Sequence, residues 1–467
     1  MNARPARISL DEWRDRYREL VQRGLEQPWY GGPLERHLEN GNRRLTSLRF
    51  DNSPAALRLW NLLLTEEDRL HAARTDGKRI VGAMKDLGTV PILAYAVQNL
   101  VAFYPDGAWW TPCVMEGSDG SLEVADAMGI DDSFCPVRAI LGAFVTGRHF
   151  PIPDVITCSV GSTCDDFSAI AQQLEHLGYP ILWWEIPRRR IPDPGETAVQ
   201  LPGGWRAPAA QVRLVVNELA RIRAAFDGLA GHAITDDNLR SSIRSANVVR
   251  RLLQELRDAV YRWPLAPLPA LEMLIAEILP LHFCSDRSEA ETVLRELVNE
   301  VHRRIRHGVG VLPADAARIF WVNPVADLRA MNLLEDCGGR ICGTDLMISH
   351  AHTQISADLP PLDALARVAL ADPMIGSCAE RAGWICNEAA RFGAEAIVIS
   401  RIPGASHCAL EGELIRRVIR RRCPKIPVLE IEVPSVSDAI SPTLRTRIEA
   451  LVECVTERRT GKCSVPE

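Results

Sequence analysis

At 467 residues, the chain has room for two to four domains of roughly 100–200 residues each. With 47% apolar and 24% charged residues, it is neither disordered, collagenous nor supercharged. Its formal net charge of −6 gives no general attraction to phosphate backbones or anionic lipid.

The first twenty residues lack the apolar run of a secretory signal. No stretch reaches the ~18 apolar residues of a membrane span. These features predict a cytoplasmic α/β protein with no nucleic-acid or membrane partner. In chain order, residues 1–77 read as an N-terminal helical segment, with amphipathic patterns over Leu10–Leu20 and Ala55–Ala73. From Lys78 the pattern changes. Arg79–Met84 is a short apolar strand, followed by a turn and a predicted helix over Ile92–Val101. Asp154–Cys158 is a second strand, Ser168–Leu177 a helix closed by Gly178, and Pro180–Glu185 a third strand. Alternating strand and helix predicts a parallel sheet, here the first α/β domain over 78–200.

Residues 201–312 read as a helical region. Long helical patterns cover Ala207–Leu229, Thr235–Tyr261, Pro269–Ile278 and Ser288–His307. Thr235 ahead of Asp236 and Asp237 has the form of a helix start. The alternation returns in a second α/β domain over 313–467. Strands are predicted at Arg318–Val322, from Arg340, at Ala396–Ser400 and at Pro427–Ile431. Helices lie at Leu328–Asp336, Ala379–Phe392, Leu410–Arg421 and Arg445–Cys454. The predicted architecture is two Rossmann-like parallel-sheet domains with a helical insertion and an N-terminal helical segment.

Thirteen cysteines are an odd number in a large chain without a signal, which argues for reduced thiols. No C-x-x-C pair occurs, so ribbon and finger zinc spacings are absent. Three cysteines stand where packing alone is a poor reason for them. Cys164 and Cys408 lie six residues past Cys158 and eight past Ser400, in loops leaving the carboxyl ends of strands, where open parallel sheets bind ligands. Cys135 directly precedes Pro136 and an apolar helix over Ala139–Val145, which puts it at a helix N-terminus, a setting that favours thiolate. Three thiolates gathered in a dry crevice need a cation. Soft sulfur favours zinc or iron–sulfur, and three ligands leave one corner open.

Several segments carry a family resemblance. They are 134–143 around Cys135, Thr163–Asp165, Ala233–Ile243 with Arg250–Leu256, Arg318–Asn323, Cys342–Asp345, Pro361–Arg367, Ser406–Ile415 and Thr446–Glu453. In this order, over roughly residues 78 to 455, the chain resembles the 2-hydroxyacyl-CoA dehydratase and benzoyl-CoA reductase family of oxygen-sensitive iron–sulfur proteins.

The resemblance implies a [4Fe–4S] cluster held by Cys135, Cys164 and Cys408. It also implies a dimer, with a homologous second subunit or with another copy of the chain, and an ATP-hydrolysing iron–sulfur activator that delivers a low-potential electron. The substrate would be an acyl-CoA. Dehydratases of the family expel a hydroxyl through a ketyl radical, and reductases add electrons to the ring of benzoyl-CoA. Two alternatives from the same resemblance are a double-cubane ATP-dependent reductase of small molecules and a non-catalytic, cluster-carrying partner subunit.

The chain also departs from the family. Family dehydratases tend to offer a Pro-Glu-Glu-like stretch after the first strand, whereas Lys85–Leu93 contains no glutamate. A carboxylate there would suit acid/base work in dehydration. The third-cysteine loop reads Cys-Ala-Leu where the family has Cys-Asp-Pro.

Cys158 reads as a core thiol, with alternate ligand as its second reading. Cys337, Cys342 and Cys378 read as structural, though Cys378 could approach a cluster, and Cys423, Cys454 and Cys463 as bystanders. His350 and His352 would share a face of a strand and offer two metal ligands, or would lie in a substrate-facing loop. Trp109, Trp110, Trp183 and Trp184 read as packing. Arg188–Arg190 read as a solvated run or a grip on CoA phosphates, and Arg420–Arg422 as a basic helix end.

Overall fold

The computed structural model describes residues 4–22, 46–86, 88–106, 120–282, 285–346, 352–406, 410–433 and 440–461. Strand β1 (Arg7–Ile8) pairs antiparallel with β2 (Phe50–Asp51), on either side of helix α1 (Leu10–Gln22). Helices α2 (Pro54–Leu64) and α3 (Glu66–Thr75) follow. The predicted single run over Ala55–Ala73 is broken at Thr65. Its backbone leaves the helical region at φ −113°, and its hydroxyl donates back to the Asn61 carbonyl at 2.6 Å.

The first sheet uses β3 (Arg79–Met84), β4 (Leu100–Phe103), β5 (Val155–Gly161) and β6 (Ile181–Ile186), all parallel, in the order β4-β3-β5-β6. Helices α4 (Val90–Ala94), α5 (Ser121–Ala127), α6 (Ala139–Thr146) and α7 (Asp165–His176) connect them. One expectation is corrected here. The helix read over Ile92–Val101 ends at Ala94, and Leu100–Phe103 is an edge strand with Leu100 in register with Arg79. A four-residue apolar run suits a buried strand as well as a helix, and only pairing decides between them.

A hairpin of β7 (Ala198–Gln200) and β8 (Arg206–Pro208) leads to α8 (Ala209–Ala230), α9 (Asp236–Arg262), α10 (Ala270–His282) and α11 (Arg287–Arg306). Thr235 and Asn238 close a reciprocal capping box at the start of α9. The second sheet has β9 (Ala317–Val322), β10 (Gly339–Asp345), β11 (Ala396–Arg401) and β12 (Val428–Glu432), parallel in the order β10-β9-β11-β12. Around it lie α12 (Arg329–Asp336), α13 (Pro361–Leu370), α14 (Cys378–Arg391), α15 (Gly412–Arg422) and α16 (Pro442–Arg459). The two sheets therefore share one winding. In each, the order reverses between the first and third strands, the point where such sheets open a crevice at their carboxyl ends.

The two α/β units interlock. Leu365 and Val368 of α13 join Leu219 and Phe226 of α8 in the core that covers one face of the first sheet. The N-terminal segment, whose role the sequence left open, is part of the main core through the fully buried Trp13, Phe50 and Trp60. Burying each such ring contributes roughly 1.5–3 kcal/mol.

Beneath that segment lies a buried ionic seam. Arg304 donates two hydrogen bonds to Asp51, at 2.6 and 2.9 Å, and Arg7 pairs with Glu335 at 3.0 Å. Glu272 accepts from the Asp51 amide and the Trp60 indole at 2.9 and 3.0 Å. Burial, reinforced by the Asp51 carboxylate, pushes Glu272 up to about 8, and burial pushes Glu335 up to about 7. A carboxyl raised in this way keeps its proton in the folded state and loses it in the unfolded chain. Its stabilising contribution is complete below the ordinary glutamate value near 4.5 and disappears as pH rises through 8. Each such proton gives a slope of about 1.4 kcal/mol per pH unit. Glu272→Gln should therefore flatten the loss of denaturant resistance between pH 6 and 8 by up to that amount per unit. An unchanged slope would show that Glu272 is ionised in the folded protein.

Candidate functional site

Cys135 caps a single 3-10 turn, Pro136–Arg138, that runs directly into α6. Pro136 suits this position because its missing N–H would have had no helical partner. Cys164 caps α7, three residues past the end of β5. The chain bends sharply to place it there. Gly161 adopts φ +95°, and a Cβ at that residue would lie 2.4 Å from the Ile186 carbonyl oxygen. Thr163 adopts φ +80° despite its β-branch, a strain of about 1–3 kcal/mol of the kind found at functional sites. The Ser162 and Thr163 hydroxyls are buried and have no hydrogen-bond partner among the described residues.

Of the predicted trio, the described residues include Cys135 and Cys164. Cys135 is close enough to act on the Cys164 thiol. Cys408 lies outside the described residues, but the chain leading to it does not. Ser406 Oγ is 3.9 Å from Cys164 Sγ, and Asp166 Oδ2 accepts from both the Ser406 amide (3.0 Å) and its hydroxyl (2.9 Å). Two residues earlier, Gly404 adopts φ +76°, and a Cβ there would sit 2.6 Å from the Phe134 carbonyl oxygen. The loop leaving β11 thus touches the segments of both other cysteines.

Beyond Cys408 the chain is fastened again. Arg381, buried in α14, donates to Glu411 (3.0 Å), Asp345 (2.9 Å) and Asn323 (2.7 Å). Asn323, at φ +70° after β9, in turn donates to the Ser400 carbonyl at 3.0 Å. Sequence reading did not identify Asp166, Ser406, Arg381 or Glu411. The available signals were the paired acids directly after Cys164 and the glutamate three residues past Cys408.

Burial raises the Cys164 thiol well above the ordinary range, and the Asp166 carboxylate and Cys135 push the same way. The thiol donates to Asp166 at 3.1 Å. Thiol sulfur is a soft donor that suits zinc or iron–sulfur once it is deprotonated. Among the described residues, no three His, Cys, Asp or Glu side chains form a metal-holding group.

The remaining candidates divide clearly. Cys158 is fully buried in β5, pushed up to about 12 by burial, with its thiol directed at the Ser159 and Phe167 carbonyls. Cys378 donates to the Glu411 carbonyl at 3.9 Å, beside the same loop. Cys342 is buried in β10, Cys337 lies 3.9 Å from an Arg445 nitrogen, and Cys386 contacts Cys423 between α14 and α15. His350 lies outside the described residues, as do Trp109, Trp110 and Cys463, and His352 itself is not in a strand.

The arginine run has two fates. Arg189 is buried against Trp205, donating to the Leu370 and Asp372 carbonyls, whereas Arg190 pairs with Glu196 on the surface. After β3, Lys85 is buried and donates to Ser168 at 3.0 Å. Asp86 accepts from the amides of Gly88, Thr89 and Val90 and from the Thr89 and Tyr104 hydroxyls. Asp86 therefore closes the start of α4.

Two sheets are wound alike, and the loops leaving their third strands meet where Ser406 touches Cys164. The model of the family described as 2-hydroxyglutaryl-CoA dehydratase, D-component, matches residues 91–455. The chain belongs to this family. Among curated proteins, none matches it. Membership in the 2-hydroxyglutaryl-CoA dehydratase D-component family supports a dehydratase-type component acting on CoA thioesters. The matched stretch contains the positions of Cys135, Cys164 and Cys408 and begins just past Lys85 and Asp86. No helix among the described residues is long and apolar enough to cross a membrane.

Proposed function

We propose that the chain holds a [4Fe–4S] cluster through Cys135, Cys164 and Cys408 and serves one-electron chemistry on an acyl-CoA thioester. The observation that supports this reading is the contact of Ser406, two residues before Cys408 in sequence, with Cys164 and Asp166. When bound, such a cluster supplies low-potential single electrons. The chain's own part is to hold it from two α/β units and to keep water away, since Cys135 is only 9% exposed. A homologous second subunit and an ATP-hydrolysing iron–sulfur activator are the partners this reading requires.

A second reading, a cluster-carrying subunit without its own acid/base group, is favoured by Asp86. Its oxygens are engaged at the start of α4, and the run Lys85–Leu93 holds no glutamate.

Anaerobic isolation with iron and sulfide analysis tests the shared core of both readings. Roughly four irons per chain are expected for one such cluster, and a colourless, iron-free protein would end both. Loss of water from a 2-hydroxyacyl-CoA by this chain plus activator, compared with and without a homologous subunit, separates them.

A further inference from the structure

We infer that Asp166 is the positioning residue that fastens the Cys408 loop of the second α/β unit to the Cys164 helix of the first. The inference rests on the cluster reading for its purpose, but the contact stands on geometry alone. Asp166 is 4% exposed and occupies the first turn of α7, where negative charge is favoured by the helix dipole. A single oxygen, Oδ2, receives the Ser406 amide at 3.0 Å, the Ser406 hydroxyl at 2.9 Å and the Cys164 thiol at 3.1 Å. Ser406 is 240 residues away in sequence, so nothing local brings these groups together. Hydrogen bonds to a charged acceptor are about twice as strong as neutral ones. An asparagine could keep one acceptor oxygen but would lose that charge.

Two neighbouring features fit the same role. Gly404 lets the loop lie against the Phe134 carbonyl, where any side chain would collide. Past Cys408, Arg381 holds Glu411 to the second unit at 3.0 Å. The loop is thus tied to the first unit on one side of its cysteine and to the second unit on the other. Asp166 provides the tie between units, and the position of Ser406 beside Cys164 depends on it.

The test uses the full chain, isolated anaerobically, as wild type, Asp166→Asn, the milder Ser406→Ala and the double variant. Two quantities are measured: the rate at which bipyridyl removes iron from the loaded protein, and the rate at which iodoacetamide alkylates Cys164 in the iron-free protein, read by peptide mass spectrometry. Asp166→Asn should speed both by about tenfold, Ser406→Ala by less, and the double variant by no more than Asp166→Asn. Two variants that break the same bond do not add, whereas unrelated damage would add. Unchanged rates in a folded Asp166→Asn protein, or additive effects in the double variant, would overturn the inference and leave the cluster reading standing. If wild type binds no iron, the cluster reading fails, and the alkylation rates still decide whether Asp166 ties the loop.

Discussion

Cys164→Ser is expected to leave the anaerobically isolated protein with less than about a tenth of the wild-type iron, because serine oxygen is a hard ligand and a three-point site tolerates no missing corner. Cys164 is where the site converges. It lies within electrostatic reach of Cys135, donates to Asp166 and lies 3.9 Å from the hydroxyl of Ser406. The substitution is nearly isosteric, and at a half-buried helix cap it leaves the fold intact, since serine is itself a good capping residue. Cys158→Ala is the internal control. That thiol is fully buried in β5 among backbone carbonyls, six residues away in the same segment. It should keep the iron and lose only a small amount of packing. If Cys158→Ala empties the site while Cys164→Ser does not, the two cysteines have been assigned the wrong way round.

Arg381→Leu should lower the resistance of the iron-free protein to denaturant by about 3–5 kcal/mol, the usual result of removing one partner from a buried ionic network. Arg381 and Asp345 are each about 1% exposed, and the guanidinium serves Asp345, Asn323 and Glu411 together. Leucine leaves the Asp345 carboxylate in the interior without this arginine. Arg381→Lys should recover little, because one ammonium cannot span three acceptors arranged for a planar fork. The same variants should lose iron on gel filtration, since Glu411 stands three residues past Cys408. A denaturant midpoint equal to that of wild type would show that the network contributes nothing beyond filling space.

Much of the fold could be read from the residues because its signals are local. Arg79–Met84 is a strand in sequence and structure alike, since an apolar run between polar turns has few alternatives at that length. The Thr235 capping box fixes the start of α9 for the same reason. The edge strand Leu100–Phe103 was missed because four apolar residues become a strand only through pairing with β3.

The site divides in the same way. Pro136 and the helix after it mark Cys135, and the end of a strand marks Cys164, from nearby sequence. Asp166 meets Ser406 across 240 residues, and Arg381 meets Asn323 across 58. Such pairings depend on how two sheets face each other, and no short window of sequence records that. The single arginine run 188–190 shows the limit most clearly, with Arg189 buried under Trp205 and Arg190 in solvent beside Glu196.

The most direct measurement is a crystal structure of the anaerobically isolated protein with anomalous scattering recorded at the iron edge. A single iron-centred peak is predicted, bonded to the sulfurs of Cys135, Cys164 and Cys408, with Asp166 still holding Ser406 beside it. Iron bound elsewhere, or these three sulfurs too far apart to share one centre, would contradict the assignment.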